Sequence, residues 1–246
     1  MRKREARSVE YDIRACAVRC LMRLGADRKD IRIEIPLDTA SSNGRADIVL
    51  LRPNGLFCVE LKSGRDTFET DALKTQLDVY RRCFDAVALI ADKVHRKTVQ
   101  HKSERHYHTW ETDNWNDVHA TYCHDTRSIG DFIAPRGEGK SVHPLLSLQH
   151  LFRWSAESCK TCVYDMLGIL WADEIRAHCG SRTSKSGFIS EARQSLCLNE
   201  ARKIVCKSLR DRPLNAWEEK FWSRFNSEEN IALDRPKPPT QEVMEI

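Results

Sequence analysis

Residues 44–63 read GRADIVLLRPNGLFCVELKS, and this stretch decides the fold that the chain is expected to adopt. Two apolar runs, 46–51 and 56–62, are rich in β-branched and aromatic residues and predict two strands. The segment 52–55, Arg-Pro-Asn-Gly, has the composition of a tight turn. The stretch therefore predicts a β-hairpin in the middle of a sheet.

Closing that turn at Leu51 and Leu56 places Asp47 directly opposite Glu60. Strand alternation then puts Lys62 on the same face as Glu60. Two ionised carboxylates this close repel each other in surroundings of low dielectric constant, and a bound divalent cation relieves that repulsion. Because oxygen ligands favour Mg²⁺ or Mn²⁺ over zinc, the hairpin predicts a magnesium site with an amine beside it.

The elements around the hairpin predict an α/β core. Helical spacing of apolar residues predicts helices at 8–24 and 69–84, and apolar runs predict strands at 31–37, 86–91 and 118–123. From residue 147 onward the chain is predicted to be mainly helical, with an amphipathic run from Phe188 to Leu209. We therefore expect a core over 1–135, a helical C-terminal region over 145–235 and a disordered tail over 236–246.

The composition narrows the class of protein. The chain has 246 residues, a net charge of +4 and 41% hydrophobic residues, which suits a globular protein that buries a core. No run of eighteen apolar residues is present, and the basic start has no apolar stretch behind it, so a cytoplasmic protein without a membrane partner is expected. Most of the ten cysteines should then be free thiols. Cys159 and Cys162 have the spacing of half a zinc site, and simple helix packing explains that spacing equally.

The residues of the hairpin are similar to a known family. Gly44-Arg45-Ala46-Asp47, followed by Val59-Glu60-Leu61-Lys62-Ser63, resembles the PD-(D/E)XK nuclease superfamily. The resemblance implies a restriction-endonuclease-like core, with a mixed central sheet flanked by helices. It also implies that Asp47, Glu60 and the carbonyl of Leu61 hold the metal and that Lys62 is the catalytic lysine. Ala46 departs from the pattern, since the name of the family suggests proline there.

Three further positions extend the predicted site. Gln76 and Tyr80 look like the Gln-x-x-x-Tyr element of RecB-like nucleases and fall one helical turn apart, so both are candidates for contact with the substrate. Glu10 is in register with the apolar stripe of the first helix and is expected to point inward, where the resemblance implies an additional metal ligand. Arg65, just after the lysine strand, is a candidate for contact with phosphate.

Each assignment has a simpler alternative. Glu60 and Lys62 could form an ion pair on an exposed strand. Glu10 could lie on an exposed helix face, and Gln76 and Tyr80 could be helix surface and core. Arg65 could instead form a salt bridge within its loop.

The function predicted from these residues is Mg²⁺-dependent (or Mn²⁺-dependent) hydrolysis of DNA phosphodiester bonds, in repair, recombination or phage-related DNA processing. Its first rival is a non-catalytic nucleic-acid-binding module that keeps the nuclease fold. The second is an interaction protein in which the carboxylates are incidental.

Overall fold

A computed structural model describes residues 10–39, 42–66, 70–92, 118–123, 148, 161–179 and 184–233 of the chain. The chain divides into two compact units, Met1–Pro213 and Leu214–Ile246. The predicted boundaries near residues 135 and 145, and the predicted tail from 236, lie outside the described residues. None of the helices within the described ranges has the length and hydropathy needed to cross a bilayer.

The first unit contains a mixed sheet and six α-helices within the described ranges. One helix precedes the sheet in the sequence, one lies between its strands and four follow it. Its strands are β1 (Ile31–Thr39), β2 (Ser42–Arg52), β3 (Gly55–Lys62), β4 (Ala86–Asp92) and β5 (Val118–Cys123). Its helices are α1 (Glu10–Arg23), α2 (Thr70–Cys83), α3 (Val163–Leu167), α4 (Ala172–Cys179), α5 (Lys185–Ser195) and α6 (Leu198–Asp211). The predicted α/β fold with a mainly helical C-terminal region is thereby confirmed.

The strands lie in the order β1-β2-β3-β4-β5. The first three are antiparallel, and β3, β4 and β5 are parallel to one another, which makes the sheet mixed. The change of direction follows from the connections, because β2 reaches β3 through a tight turn whereas α2 carries the chain from β3 to β4. Both faces of β3 are buried, as expected of a central strand covered by helices.

Glycines end the first helix and close the hairpin. Gly25, with a φ of 92°, follows α1 and donates its N–H to the carbonyl of Met22 at 3.0 Å, while Ala26 donates to Leu21 at 3.0 Å, the pair of bonds of a Schellman motif. At the hairpin, a Cβ on Gly55 would lie 2.1 Å from the ring of Phe57. The turn therefore requires glycine at its end.

One apolar core joins the sheet to the C-terminal helices of the first unit. Val49 and Leu51 of β2 belong to the same buried cluster as Leu77 of α2, Leu167 of α3 and Val205 of α6. The helical region is thus part of the packing of the sheet. The buried, unbridged state of Cys16, Cys20, Cys58 and Cys83 confirms the prediction of free core thiols.

The amphipathic run from Phe188 to Leu209 is not one helix. It is divided between α5 and α6 at Cys197, whose extended backbone begins the second helix. The side chain of Glu200 accepts the N–H of Cys197 at 2.8 Å, so a capping box starts a new helix inside the periodic pattern.

The second unit contains α7 (Ala216–Leu233). Asn215 precedes it and accepts the N–H groups of Trp217 and Glu218, while the carboxylate of Glu218 accepts the N–H of Asn215 at 3.0 Å. The rings of Phe221, Trp222 and Phe225 contact one another along this helix.

Candidate functional site

The hairpin has the register that its turn predicts. Arg52 is paired with Gly55, and the ladder continues to Ile48 and Val59. Beyond that pair, the N–H of Leu61 donates to Oδ2 of Asp47 at 2.7 Å. The carboxylate of Asp47 therefore lies against the end of β3, beside the residues that the sequence assigned to the site.

Glu60 is buried, and only one of its two carboxylate oxygens has a partner among the described residues. Its side chain is 2% exposed, and Oε1 lies 2.7 Å from Nζ of Lys62. Oε2 accepts no hydrogen bond from any residue that the structure describes. The ion pair of the alternative interpretation is present, but the exposed strand is not, because β3 is buried up to Leu61. An unsatisfied carboxylate oxygen in a buried setting is costly, and it is the kind of atom that a cation or a donor satisfies.

Lys62 is held by a chain of hydrogen bonds that runs through α2. Its Nζ donates to Oε1 of Gln76 at 3.1 Å, and Nε2 of Gln76 donates to the hydroxyl of Tyr80 at 2.6 Å. That hydroxyl donates in turn to the carbonyl of Arg45 at 2.7 Å. Burial raises the pKa of Tyr80, which keeps the hydroxyl protonated and able to donate. The pair that the sequence assigned to the substrate thus positions the lysine, and its contact with substrate stays a prediction.

Glu34 is a member of the site that the sequence reasoning missed. The strands β1 and β2 are paired on both sides of Glu34 and Asp47, so the two residues lie at the same level. Glu34 has a φ of 57°, which departs from the strand conformation. Its side chain is 6% exposed and forms ion pairs with Arg14 and with Arg45, the latter at 2.6 Å. A signal was present in the strand Ile31-Arg32-Ile33-Glu34-Ile35, where a carboxylate stands between apolar residues.

Glu10 does not point inward as expected. It is the first residue of α1, and its side chain is 63% exposed. Its carboxylate nevertheless reaches the site, since Oε1 lies 2.6 Å from Nη2 of Arg14. The role of Glu10 as a metal ligand stays a prediction, and Arg14 competes with a metal for it.

The surroundings of the site disfavour the ionised form of its carboxylates. Burial and the nearby charge of Glu60 raise the pKa of Asp47 well above its usual value, although the N–H of Leu61 and the charge of Arg14 act in the opposite direction. Burial also raises the pKa of Glu34, with the charge of Asp47 adding to the effect and the charges of Arg14 and Arg45 opposing it. Burial therefore outweighs the favourable charges of the two arginines.

Arg65 lies at the exposed start of the loop after β3. Its N–H donates to the hydroxyl of Ser63 at 3.3 Å, and the N–H of Ser63 donates to the carboxylate of Asp66. These bonds close a turn directly after Lys62. Contact between Arg65 and phosphate stays a prediction.

Two overlapping sets of oxygens could receive a divalent cation. Oxygens of Glu10, Glu34 and Asp47 lie within 4.8 Å of one another, which is the spacing of a metal site. Arg14, however, already forms ion pairs with all three residues. The pair Asp47 and Glu60 has the buried, unsatisfied Oε2 of Glu60, so the chemistry of this second set fits a cation better. Cys159 lies outside the described residues, and the zinc alternative at Cys159 and Cys162 stays open.

Comparison with protein families gives one match to this region. The model of the family described as Bacteriophage P4 protein cII matches residues 3–127, which is just over half of the chain. The matched range includes α1, the five strands and every candidate residue of the site. No curated protein and no solved structure matches the chain.

Proposed function

The chain belongs to the family of bacteriophage P4 protein cII, and we propose that it is a Mg²⁺-dependent DNA nuclease with a PD-(D/E)XK-type site. One observation carries the proposal: the buried Oε2 of Glu60 has no partner among the described residues, while Lys62 is held against the other oxygen. The open oxygen lies on an acid that neighbours both Lys62 and the carboxylate of Asp47, and this combination supports a site that binds a ligand.

The residues fit a divalent cation of the magnesium type. Asp47, Glu60 and the carbonyl of Leu61 would hold it, since all three offer oxygen and Mg²⁺ prefers oxygen ligands. A bound cation would polarise the scissile phosphodiester and lower the pKa of a water molecule. Burial and the charge of Glu60 raise the pKa of Asp47, and this supports the same assignment, because a bound cation would favour the ionised carboxylate that these two effects disfavour.

Lys62 supplies positive charge at a fixed point. Its amine is 2.7 Å from Glu60 and 3.1 Å from Gln76, and its side chain is 19% exposed. In this position the amine can orient the attacking water or stabilise the charge that develops on the pentacoordinate phosphate. Gln76 and Tyr80 hold the amine in place, which is the preorganisation that such electrostatic stabilisation requires.

DNA is proposed as the substrate on the strength of the resemblance. The net charge of +4 is compatible with a polyanion and adds little. Basic residues cluster near the start of the chain and along α6. On α6, Arg202 is buried in its pair with Asp85, so the exposed Lys203 and Lys207 are the candidates for contact with the phosphate backbone.

Cleavage assays test the proposal. Single-stranded, duplex and branched DNA would be incubated with the full chain and Mg²⁺ or Mn²⁺, and wild type compared with Asp47→Ala and Lys62→Ala. Both variants should lose cleavage by about 100-fold or more, since each removes a charge that acts on the transition state. Lys185→Ala is the matched control for the lysine, because Lys185 is 22% exposed and forms one ion pair, with Asp38 at 3.0 Å.

Equal cleavage by wild type and both variants would contradict the proposal. Binding of DNA with no cleavage under any metal condition would favour the non-catalytic nucleic-acid-binding module instead.

A further inference from the structure

Three carboxylates from three elements of the fold converge on one nitrogen of Arg14. Its Nη2 lies 2.6 Å from Glu10 of α1 and 3.6 Å from Asp47 of β2, and it also pairs with Glu34 of β1. These are the same three residues whose oxygens have the spacing of a metal site. The guanidinium therefore stands where a cation bound by the three would stand.

Arg14 is a permanent occupant of that position. Its side chain is 9% exposed, and a guanidinium does not lose its proton at any pH that the protein survives. A divalent ion entering the same cluster would meet a fixed positive charge within a few ångströms and would have to displace it. The oxygen Oε2 of Glu60 lies outside this set of ion pairs and has no partner among the described residues.

We propose that Arg14 is the resident cation of the cluster Glu10, Glu34 and Asp47, and that the site therefore binds a single divalent ion, on Asp47 and Glu60. The second half of this statement rests on the proposed function, whereas the first half does not. Arg14 is a positioning residue: it holds Asp47 through Oδ1 while the N–H of Leu61 holds Oδ2. In this way the ligand is oriented and the neighbouring acids are neutralised without a second metal.

Titration of the full chain with Mn²⁺, followed by isothermal calorimetry and by the spectroscopic signal of free Mn²⁺, tests the proposal. Wild type should bind a single ion per chain. Arg14→Met, which keeps the length of the side chain and removes its charge, should bind a second. Arg14→Lys restores one positive charge and should return the stoichiometry to a single ion.

Two further variants locate the second ion and control for the loss of a buried arginine. Glu34→Gln in the Arg14→Met background should remove the second ion, because Glu34 would be one of its ligands. Arg81→Met should leave the wild-type stoichiometry, because Arg81 is also buried but its ion pair, with Asp78 at 3.7 Å, lies on the surface of α2.

Glu10→Gln keeps the test decisive if Arg14→Met fails to fold. Glu10 is exposed, so its substitution should be tolerated. The affinity for Mn²⁺ should stay within about threefold, because the carboxylate of Glu10 pairs with Arg14 and is not needed to bind the ion. A fall of about tenfold or more would make Glu10 a metal ligand and overturn the proposal.

The outcomes separate this proposal from the proposed function. Two ions on wild type, or no additional ion on a folded Arg14→Met, would overturn the role of Arg14. No ion on wild type with one on Arg14→Met, lost again with Glu34→Gln, would support Arg14 as the resident cation and contradict the metal pair of the proposed function.

Discussion

Two buried carboxylates lie near opposite ends of β3 and have opposite surroundings. Asp85 is 2% exposed; Nε and Nη2 of Arg202 each donate to it at 2.6 Å, and the N–H of Leu56 donates to it at 2.8 Å. Glu60 is equally buried and pairs with Lys62 through Oε1, yet its Oε2 has no hydrogen-bond partner among the described residues.

The difference separates a fully paired acid from one that keeps an open oxygen. The carboxylate of Asp85 has both oxygens bonded, and its partners fasten α6 to the sheet. The carboxylate of Glu60 has an oxygen available for a ligand. Burial alone therefore does not identify a functional carboxylate in this protein. An unfilled bond alone does not either, because Oδ1 of Asp165, whose other oxygen pairs with Arg82, also has no hydrogen-bond partner among the described residues. Glu60 differs from Asp165 in lying beside a second carboxylate, that of Asp47.

The largest expected effect concerns Glu60. Glu60→Gln keeps the size of the side chain and removes its charge, so cleavage should fall by about 1000-fold while the free energy of unfolding stays the same or rises. Single-turnover cleavage of DNA and urea unfolding measure the two quantities. Asp85→Asn is the matched control, which should lower the stability and keep the Mn²⁺ affinity. Full cleavage by Glu60→Gln would remove the distinction between the two acids.

Arg202 should show the reverse behaviour. Arg202→Met leaves Asp85 buried and unpaired, and this should lower the free energy of unfolding by about 3 kcal/mol or more. Lys207→Met, five residues further along α6, removes an exposed ion pair with Asp211 and should lower the free energy of unfolding by less than about 1 kcal/mol. Urea denaturation measures both. Equal small losses would mean that the Asp85 pair does not fasten α6.

The third expected effect is a dependence of the free energy of unfolding on pH, which arises from the carboxylates near the Glu60 end of β3. Because the pKa of Asp47 and that of Glu34 are raised in the folded chain, the folded state binds protons more tightly than the unfolded state above the usual carboxyl range. Their contribution to stability is therefore present at low pH and is lost as the pH rises through the raised values.

Urea unfolding between about pH 4 and pH 7 measures this contribution. Asp47→Asn should flatten the profile and be more stable than wild type near neutral pH, and Mg²⁺ should stabilise wild type more than this variant. A wild-type stability that rises through the same window by more than that of Asp47→Asn would contradict the raised pKa.

The smallest expected effect is at Tyr80. Tyr80→Phe removes the hydroxyl that links Gln76 to the carbonyl of Arg45, so kcat should fall by about tenfold with KM unchanged and stability should fall by about 1 kcal/mol. Steady-state kinetics separate the two constants. Tyr164→Phe, on α3, is the control. A change confined to KM would instead favour contact between Tyr80 and the substrate.

The part of the site that the sequence predicts is the part that a local turn determines. The two-residue connection between Arg52 and Gly55 sets the register of β2 and β3, and that register brings Asp47 to the end of β3, where Glu60 lies. The position of Lys62 follows from alternation along the same strand. The individual strands and the helical C-terminal region are predicted because their patterns are local and periodic, whereas the mixed order of the sheet is implied by the resemblance alone.

Glu34 and Arg14 escape prediction for different reasons. The strands β1 and β2 are joined as closely as β2 and β3, with Thr39 paired with Ser42, but the connection lacks the Pro-Asn-Gly composition that marks the second turn. The positive φ of Glu34 also breaks the alternation on which a sequence pattern relies. Arg14 lies one turn after Glu10 on α1, and this spacing predicts an exposed ion pair. It does not predict a buried guanidinium that pairs with carboxylates from one helix and two strands. The restriction-endonuclease-like identity of the core stays a prediction.

The left-handed backbone at residue 34 has a consequence for laboratory evolution. A residue with a side chain pays a conformational penalty of about 1 kcal/mol there, which glycine avoids. A library selected only for resistance to heat should therefore enrich glycine at this position. A library selected for the chemistry of the site should retain glutamate. Deep sequencing of the two pools would show whether glutamate at this position is favoured for stability or for function.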